Sequence, residues 1–439
     1  MRHPRTTCLL AMLACAMSLG AAHERAFAAA TPPPDDKALG SVDVTGAATV
    51  ASQKLAIVPV LTQGDADVVT QLVVRRDLEL SGQFDVASAD AAPDGPFLRS
   101  MAIDPKAWAA KGVDVLVRVT SDAGKDRART FTAEVWLPKT GRTTTVEART
   151  TTFDEDHVRL GAHSLADAIL DATTGRAGSF ESRMVFARAI GTGRQVQLID
   201  ADGFGLHGVG PASQTALSPT FGPKDDVYYA LSTDSLPFRL VHGDAATPAA
   251  WPALGDVGGV LGVAFSSDRR RVALTTMRDG ASQVLVGNAD GTQLSPLKTS
   301  TFATHPVLGP LGKTAWVAGS PSRVFVDGKA ISPAGFSASA PTFCDSPKGL
   351  FVVFTVGVLD GADLVATDVD GNGLFRLTQG QGSNRDPACS PDGRLVAFFS
   401  TRTSGKGPGL YVMPLLAPWR AQPITDVQGT TLRWESITP

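Results

Sequence analysis

Cysteine and tyrosine are scarce in this chain, with four and three copies among 439 residues. So few cysteines exclude a small disulfide-built scaffold, which depends on a dense set of bridges. An excess of one charge is missing as well: 40 Lys and Arg against 43 Asp and Glu leave a net charge of −3. That balance gives no footprint for nucleic acid or an anionic membrane. No segment supplies the roughly 20 uninterrupted apolar residues of a membrane-spanning helix. His157, His163, His207, His242 and His305 form no HExxH or close Cys/His cluster, and a G-x-S-x-G string is absent. A zinc site and a serine hydrolase are therefore not expected. No catalytic residue, cofactor or metal is assigned, and the expectation is a protein that is not an enzyme.

What is abundant is turn chemistry. The 44 glycines and 29 prolines beside 43 % hydrophobic residues favour a turn-dense, β-rich protein with sizeable cores. Residues 1–28 read as a signal peptide: basic Arg2 and Arg5, an apolar core from Cys8 to Leu19, and small residues up to Ala28. The alternative reading, a lipoprotein box at Met12-Leu13-Ala14-Cys15, fits less well because the apolar core runs on past Cys15. Residues 29–53 read as an exposed arm, with proline-stiffened Thr31–Asp36 and then Val42-Asp43-Val44-Thr45, which alternates like a strand.

From residue 54 to 178 the pattern is α+β. Leu55–Val60 suits a buried strand, and Asp65–Ser81 a helix with Val69, Leu72 and Val73 on its apolar face and Gly82 as its stop. Phe84–Ala87 and Val113–Val119 read as strands, with a short helix opened by Asp104-Pro105 between them. Thr130–Leu137 and Thr143–Phe153 read as a hairpin, and Glu155–Thr173 as a final helix before Gly175.

After Ser179 short apolar strands repeat with two markers. One is an Asp-Gly turn, as in Asp200-Ala201-Asp202-Gly203, Asn288-Ala289-Asp290-Gly291 and Asp368-Val369-Asp370-Gly371. The other is a short run, usually with proline, before each apolar hairpin: Ser218-Pro219, Val263-Ala264, His305-Pro306, Ala340-Pro341 and Asp386-Pro387. The fullest copy is Ser390–Leu415, SPDGRLVAFFSTRTSGKGPGLYVMPL, whereas Ser266-Ser267-Asp268-Arg269, Gly309-Pro310-Leu311-Gly312 and Asp345-Ser346-Pro347-Lys348 are degenerate. Units of about 40 to 45 residues with four strands indicate propeller blades. Thr431–Glu435 resembles a blade's opening strand with no blade after it, so it is expected to complete the first blade. The expected fold is an α+β amino-terminal domain followed by an all-β six-bladed propeller of WD40-like repeats over residues 179–439. Asp368-Val369-Asp370-Gly371-Asn372-Gly373 shares the D-x-D-x-N-G opening of a calcium loop, but Gln379 stands at its twelfth position, so a plain hairpin turn is expected. For Cys344 and Cys389, equivalent places on neighbouring repeats favour buried free thiols over a disulfide.

LAIVPV at Leu55, RRDLELSGQFDV at Arg75, PKAWAAKGVDVLVRV at Pro105 and LGAHSLADAILDATTGRAGSFESRMVF at Leu160, followed by the repeats, resemble the TolB family of the bacterial Tol–Pal envelope system. The resemblance implies a periplasmic scaffold that binds the lipoprotein Pal through the propeller face and TolA through the arm, with other peptidoglycan-associated envelope proteins as possible partners. Carried over to this sequence, it implies Pal contacts at Leu261, Thr304, His305, Ala338, Ser339, Asn384, Arg385 and Asp386, and a TolA-binding strand at Ser41, Val42, Asp43, Val44, Thr45 and Gly46. The competing readings are a propeller that binds a glycan or small ligand and, behind it, a peptidase-related propeller.

Overall fold

The computed structural model describes residues 36–40, 52–61, 64–93, 97–125, 128–150, 155–232, 237–251, 258–297 and 302–436. The expected TolA-binding residues, Ser41 to Gly46, lie outside them, as does the expected signal peptide.

The first half is a five-stranded sheet in the order Phe84–Val86, Gln53–Ile57, Val115–Ala123, Arg129–Leu137, Arg142–Thr150. Gln53–Ile57 pairs in parallel with both of its neighbours, and the remaining pairs are antiparallel. Helices α1 (Asp65–Leu80) and α3 (Glu155–Thr174) pack on this sheet, while the short α2 (Pro105–Ala109) starts on Asp104, whose carboxylate accepts the Lys106 N–H at 3.0 Å. The central strand begins two residues later than the hydrophobic run, because the Val113 N–H is taken by the Trp108 carbonyl at 3.2 Å, and its antiparallel ladder with Arg129–Leu137 carries it on to Ala123.

The apolar face of α1 differs from the expected one. Val73, Val74 and Leu78 are buried, whereas Leu72 is 61 % exposed. At about 100° per residue the buried Thr70, Val73, Val74, Asp77 and Leu78 form one arc, and Leu72 lies on the opposite side of the helix from its centre. Gly82 ends α1 at φ +64°, and a Cβ there would lie 2.2 Å from Pro414 Cγ. Glycine is thus required both by the left-handed turn and by the close approach of the all-β part.

From Arg183 onward every regular element of any length is a strand. An eight-stranded sheet combines Arg183–Ile190, Gly193–Asp200 and His207–Val209 with Thr215–Phe221, Val227–Ser232, Arg239–His242 and Ala249–Ala250. Its eighth strand is the chain's last, Thr430–Trp434, which pairs antiparallel with Arg183–Ile190. Four sheets of four antiparallel strands follow, opening with Gly259–Phe265, Thr304–Leu308, Ala338–Ser346 and Asn384–Cys389. The inner strands, such as Thr314–Ala318 and Leu395–Ser400, are buried on both faces, as between stacked sheets, whereas the outermost ones, such as Ala249–Ala250 and Ser295–Pro296, are exposed.

The turns explain the repeated sequence. In Ser390-Pro391-Asp392-Gly393 the Ser390 hydroxyl donates to Asp392 and accepts the Leu395 N–H at 2.9 Å, and Gly393 takes φ +70°. Ser266-Ser267-Asp268-Arg269 lacks the motif yet builds the same turn: Ser266 donates to Asp268 at 2.6 Å and accepts the Arg271 N–H at 3.0 Å. Arg269 takes the glycine's place at φ +58°, and Lys224 and Leu311 adopt +63° and +57° in other degenerate copies. In the Asp368 turn both carboxylate oxygens are engaged within the turn, by the N–H groups of Asp370 and Asn372 at 2.9 and 2.8 Å and by the Asn372 side-chain amide at 3.2 Å.

Two expectations are corrected. Cys344 and Cys389 form a disulfide rather than two thiols, with Cα atoms 5.4 Å apart. They stand on the opening strands of adjacent sheets, which approach more closely there than equivalent positions on separate repeats suggested. The arm is not exposed throughout: Leu39, in the turn Asp36–Leu39, is 1 % exposed and packs among Ala315, Val317, Phe336 and Val352. Just after it, the Gly40 carbonyl accepts from Arg376, whose guanidinium is also paired with buried Asp363.

Replacing both cysteines by serine should cost about 2–4 kcal/mol, the usual contribution of a native bridge. A guanidinium midpoint equal to that of the oxidised wild type would refute this. Leu39→Asp should undock residues 36–40 and expose them to limited proteolysis while the melting temperature changes little; protection equal to wild type would show that the docking does not depend on Leu39.

Candidate partner-binding surface

Six strands share one irregularity. The register slips at Leu261 in Gly259–Phe265, and at corresponding places in Thr215–Phe221, Thr304–Leu308, Ala338–Ser346, Asn384–Cys389 and Thr430–Trp434. In five of the six a non-glycine residue at the slip adopts left-handed φ: Ser218 at 49°, His305 at 51°, Ala340 at 49°, Asp386 at 54° and Thr431 at 57°. Four of these precede proline, and a bulge is where a strand tolerates a residue without an N–H. The repeated proline marker in the sequence is therefore a bulge signal. A left-handed non-glycine residue costs about 1–2 kcal/mol, and such strain concentrates at functional sites.

The bulges place the expected contact residues unequally. The Leu261 carbonyl accepts the Ser218 hydroxyl at 3.0 Å, tying two neighbouring strands together. Thr304 is half-buried and His305 exposed, with His305 Nδ1 3.0 Å from the Thr304 hydroxyl. Ser339 is half-buried. Ala338 and Asn384, at 1 % and 0 % exposure, cannot offer side chains to a partner. Ala338 packs in a core with Phe336 and Val356, and Asn384 accepts the Ser400 hydroxyl at 2.8 Å beneath Arg402. Both precede the bulge, where the strand is still regular and covered by its neighbours.

Arg385 and Asp386 are half-buried and paired at 3.1 Å, and Arg385 also donates to the Gly429 carbonyl at 3.0 Å. Asp386 acts electrostatically on two groups from other strands. Its carboxylate opposes the burial that pushes the Arg433 guanidinium down. Although His305 is open to solvent, desolvation by the surrounding strands and the charge of Arg433 hold its imidazole below its ordinary range, with Asp386 opposing them. The shift favours the neutral imidazole, whose Nδ1 is engaged with the Thr304 hydroxyl. Arg433 was not anticipated from sequence, where Thr431–Glu435 read only as a closing strand. Its signal is the spacing: it follows the Thr431 bulge by two residues and so faces the same way as the bulge.

Beyond the bulges, the far ends of the same six strands line a cavity of about 190 Å³ through Phe221, Phe265, Leu308, Phe343, Cys389 and Trp434. Each of the six strands contributes one of these residues, and Arg269, Asp345 and Arg433 line the same cavity, so apolar and charged groups share it.

Residues 40–137 match the TolB amino-terminal domain family. The chain is 26 % identical over 230 residues to a Tol-Pal system protein TolB of Mannheimia succiniciproducens, covering 51 % of this chain and 52 % of that protein. It is 27 % identical over 177 residues to the one of Methylococcus capsulatus, covering 38 % and 40 %. The chain thus spans about half the length of the curated relatives it matches, or less. A crystal structure of TolB from Acinetobacter baumannii superposes with a TM-score of 0.71 at 18 % identity, over 88 % of this chain and 97 % of that one, which is a likeness of fold. No helix among the described residues is long and apolar enough to cross a membrane. Residues 40–137 thus match the TolB amino-terminal domain family, and the chain is similar in sequence to the Tol-Pal system protein TolB and in fold to a TolB structure.

Proposed function

We propose that this protein is a periplasmic, non-enzymatic adaptor of the Tol–Pal type that supports outer-membrane integrity and envelope constriction during cell division. In this reading its all-β part is a closed six-bladed propeller. The eight-stranded sheet counts as two blades because its halves meet through a single pair, Arg194 with Thr215. The pairing of Thr430–Trp434 with Arg183–Ile190 supplies the closure. Localisation outside the cytoplasm draws support from the Cys344–Cys389 disulfide, which persists in oxidising compartments, and from the signal-like residues 1–28.

The observation that carries the partner assignment is the set of aligned bulges bearing His305, Arg385, Asp386 and Arg433. Their polar groups sit on rigid, strained backbone, and fixed charges of this kind give a protein partner orientation and specificity. Pal binds there, through Leu261, Thr304, His305, Ser339, Arg385 and Asp386. TolA binds residues Ser41 to Gly46 by strand addition, immediately after the docked Leu39 and Gly40. The cavity disfavours the glycan or small-ligand reading, since about 190 Å³ falls below the roughly 300–1,000 Å³ of ordinary ligand pockets.

Arg385→Glu reverses one charge of the surface and should weaken Pal binding at least about tenfold, roughly 1.4 kcal/mol, without lowering the melting temperature. Titration of Pal by calorimetry measures it. Wild-type affinity in the folded variant would remove the bulge surface from the interface, and no Pal binding by the wild type would remove the adaptor reading itself.

A further inference from the structure

Helix α3 carries two kinds of face. Toward the α+β sheet it presents Val158, Ala162, Leu165, Ala166 and Ile169, and the strands beneath answer with apolar Phe131, Ala133, Val135 and Ala148. Its polar residues Arg159, His163 and Asp167 instead meet α1, the linker and the hairpin at Asp200–Gly205. His163 Nδ1 lies 2.7 Å from Asp77 Oδ2 of α1, with the two residues 3 % and 0 % exposed. Arg159 donates to Asp202 at 2.6 Å, lies 3.7 Å from Asp200 and 3.5 Å from His163 Nε2, and stacks on Phe204 at 3.9 Å. Asp167 accepts the N–H groups of Phe180 and Glu181 in the linker at 2.9 and 3.0 Å. The approach there is tight, for a Cβ on Gly178 would lie 2.2 Å from Asp167 Oδ1.

The charges do not balance. Asp77, Asp167, Asp200 and Asp202 face the cations Arg159 and His163, and the third nearby cation, Arg183, acts on Asp200 but brings its own carboxylate partner, Glu435 at 2.8 Å. Asp225 adds a further carboxylate at the rim, beside Arg183 and Arg269. One oxygen of Asp77 is buried without a hydrogen-bond partner. A cavity of about 550 Å³, lined in part by Arg159, His163, Arg183, Asp200 and Glu435, opens against the cluster and gives water and protons a route to it.

We propose that this junction is a pH-sensitive hinge: as pH rises, loss of protons from its buried groups releases α3 and residues 175–181 from the first strands of the all-β part while both parts stay folded. Burial pushes Asp77 up to about 6 against the pull of His163. Burial likewise raises Asp167 to about 8, against its two backbone N–H bonds, and raises Asp200. For His163 burial opposes the charge, but Asp77 and Asp202 overcome it and raise the group to about 9. All four shifts are upward, so the closed junction holds more protons than the open one. Their stabilisation is complete below the ordinary values of 3.8 for Asp and 6.5 for His, and it is lost as pH climbs through about 6, 8 and 9.

Hydrogen–deuterium exchange on the full chain, corrected for the intrinsic base-catalysed rate, tests this at the amides of Phe180 and Glu181. Their protection should fall between pH 6 and 9 by about tenfold per pH unit for each proton released, while the amides of Leu395–Ser400 keep theirs. His163→Gln, which removes one cation at every pH, should already show the low protection at pH 6. Asp77→Asn, which removes one carboxylate, should move the loss to higher pH. If a variant fails to fold, the wild-type profile decides alone: flat protection from pH 6 to 9, or an equal loss in Leu395–Ser400, overturns the hinge.

Discussion

The pairing of the last described strand, Thr430–Trp434, with the strand that opens the all-β part, Arg183–Ile190, is the constraint on which the other contacts depend. It joins residues about 250 apart in sequence, and the entropy of closing so long a loop must be offset locally. Three interactions gather at one end to do so. Arg183 meets Glu435 through two side-chain bonds, at 3.0 and 2.8 Å, and the Trp434 indole donates to Ser182 at 2.7 Å. Arg269, from another sheet, donates to the Ser436 carbonyl at 3.0 Å. Without this strand Arg183–Ile190 would present an open edge, the template for pairing with other chains. Arg433 would also lose its place beside His305 and Asp386, so the candidate surface and the closure are one structural problem.

Much of this was legible in the sequence where a local rule decides the geometry. Proline marked the bulges because it lacks an N–H, Ser-Pro-Asp-Gly marked a turn closed by its own serine, and Gly82 and Gly175 marked helix ends. What escaped depends on distance in space. Cys344 and Cys389 were read as thiols because sequence equivalence says nothing of the 5.4 Å between their Cα atoms. Leu39 sits in a polar, proline-rich context, and only the crevice among Ala315, Val317 and Val352 makes it a core residue. Asn384 entered as a partner contact only through the resemblance, yet it is wholly buried against Ser400 and Arg402. The degenerate repeats illustrate the opposite case: Arg269 and Leu311 hold left-handed turns that their side chains disfavour, because strands on either side fix the turn.

The two polar assemblies of the molecule are built on different principles. At the bulges, Arg385 and Asp386 are paired, half-buried and held on a strand locked into a sheet, so their charges are fixed in direction. At the α3 junction the ionisable groups are buried, outnumber their cations and connect elements through side chains rather than through a backbone ladder. The first arrangement suits recognition, which needs a preorganised surface. The second makes its stability a function of proton concentration.

The α+β domain is held to the all-β part by a second contact of another kind, and the contrast determines where motion can occur. Arg420 donates to the carbonyls of Gly82 and Phe84 at 2.7 and 3.2 Å, Gln422 to Glu79 at 2.9 Å, and Arg76 to Pro423 at 2.9 Å. Guanidinium and amide donors meeting backbone carbonyls do not titrate near neutral pH, so this contact keeps its strength across the range in which α3 gains charge. With Pro414 pressed against Gly82, it forms a fixed pivot at the end of α1. Charge accumulating around Asp77 and His163 acts instead where α3 meets the Asp200–Gly205 hairpin, while Arg176 and Ser179 of the linker bond the Asp345 carbonyl and the Asp392 N–H, both at 2.9 Å.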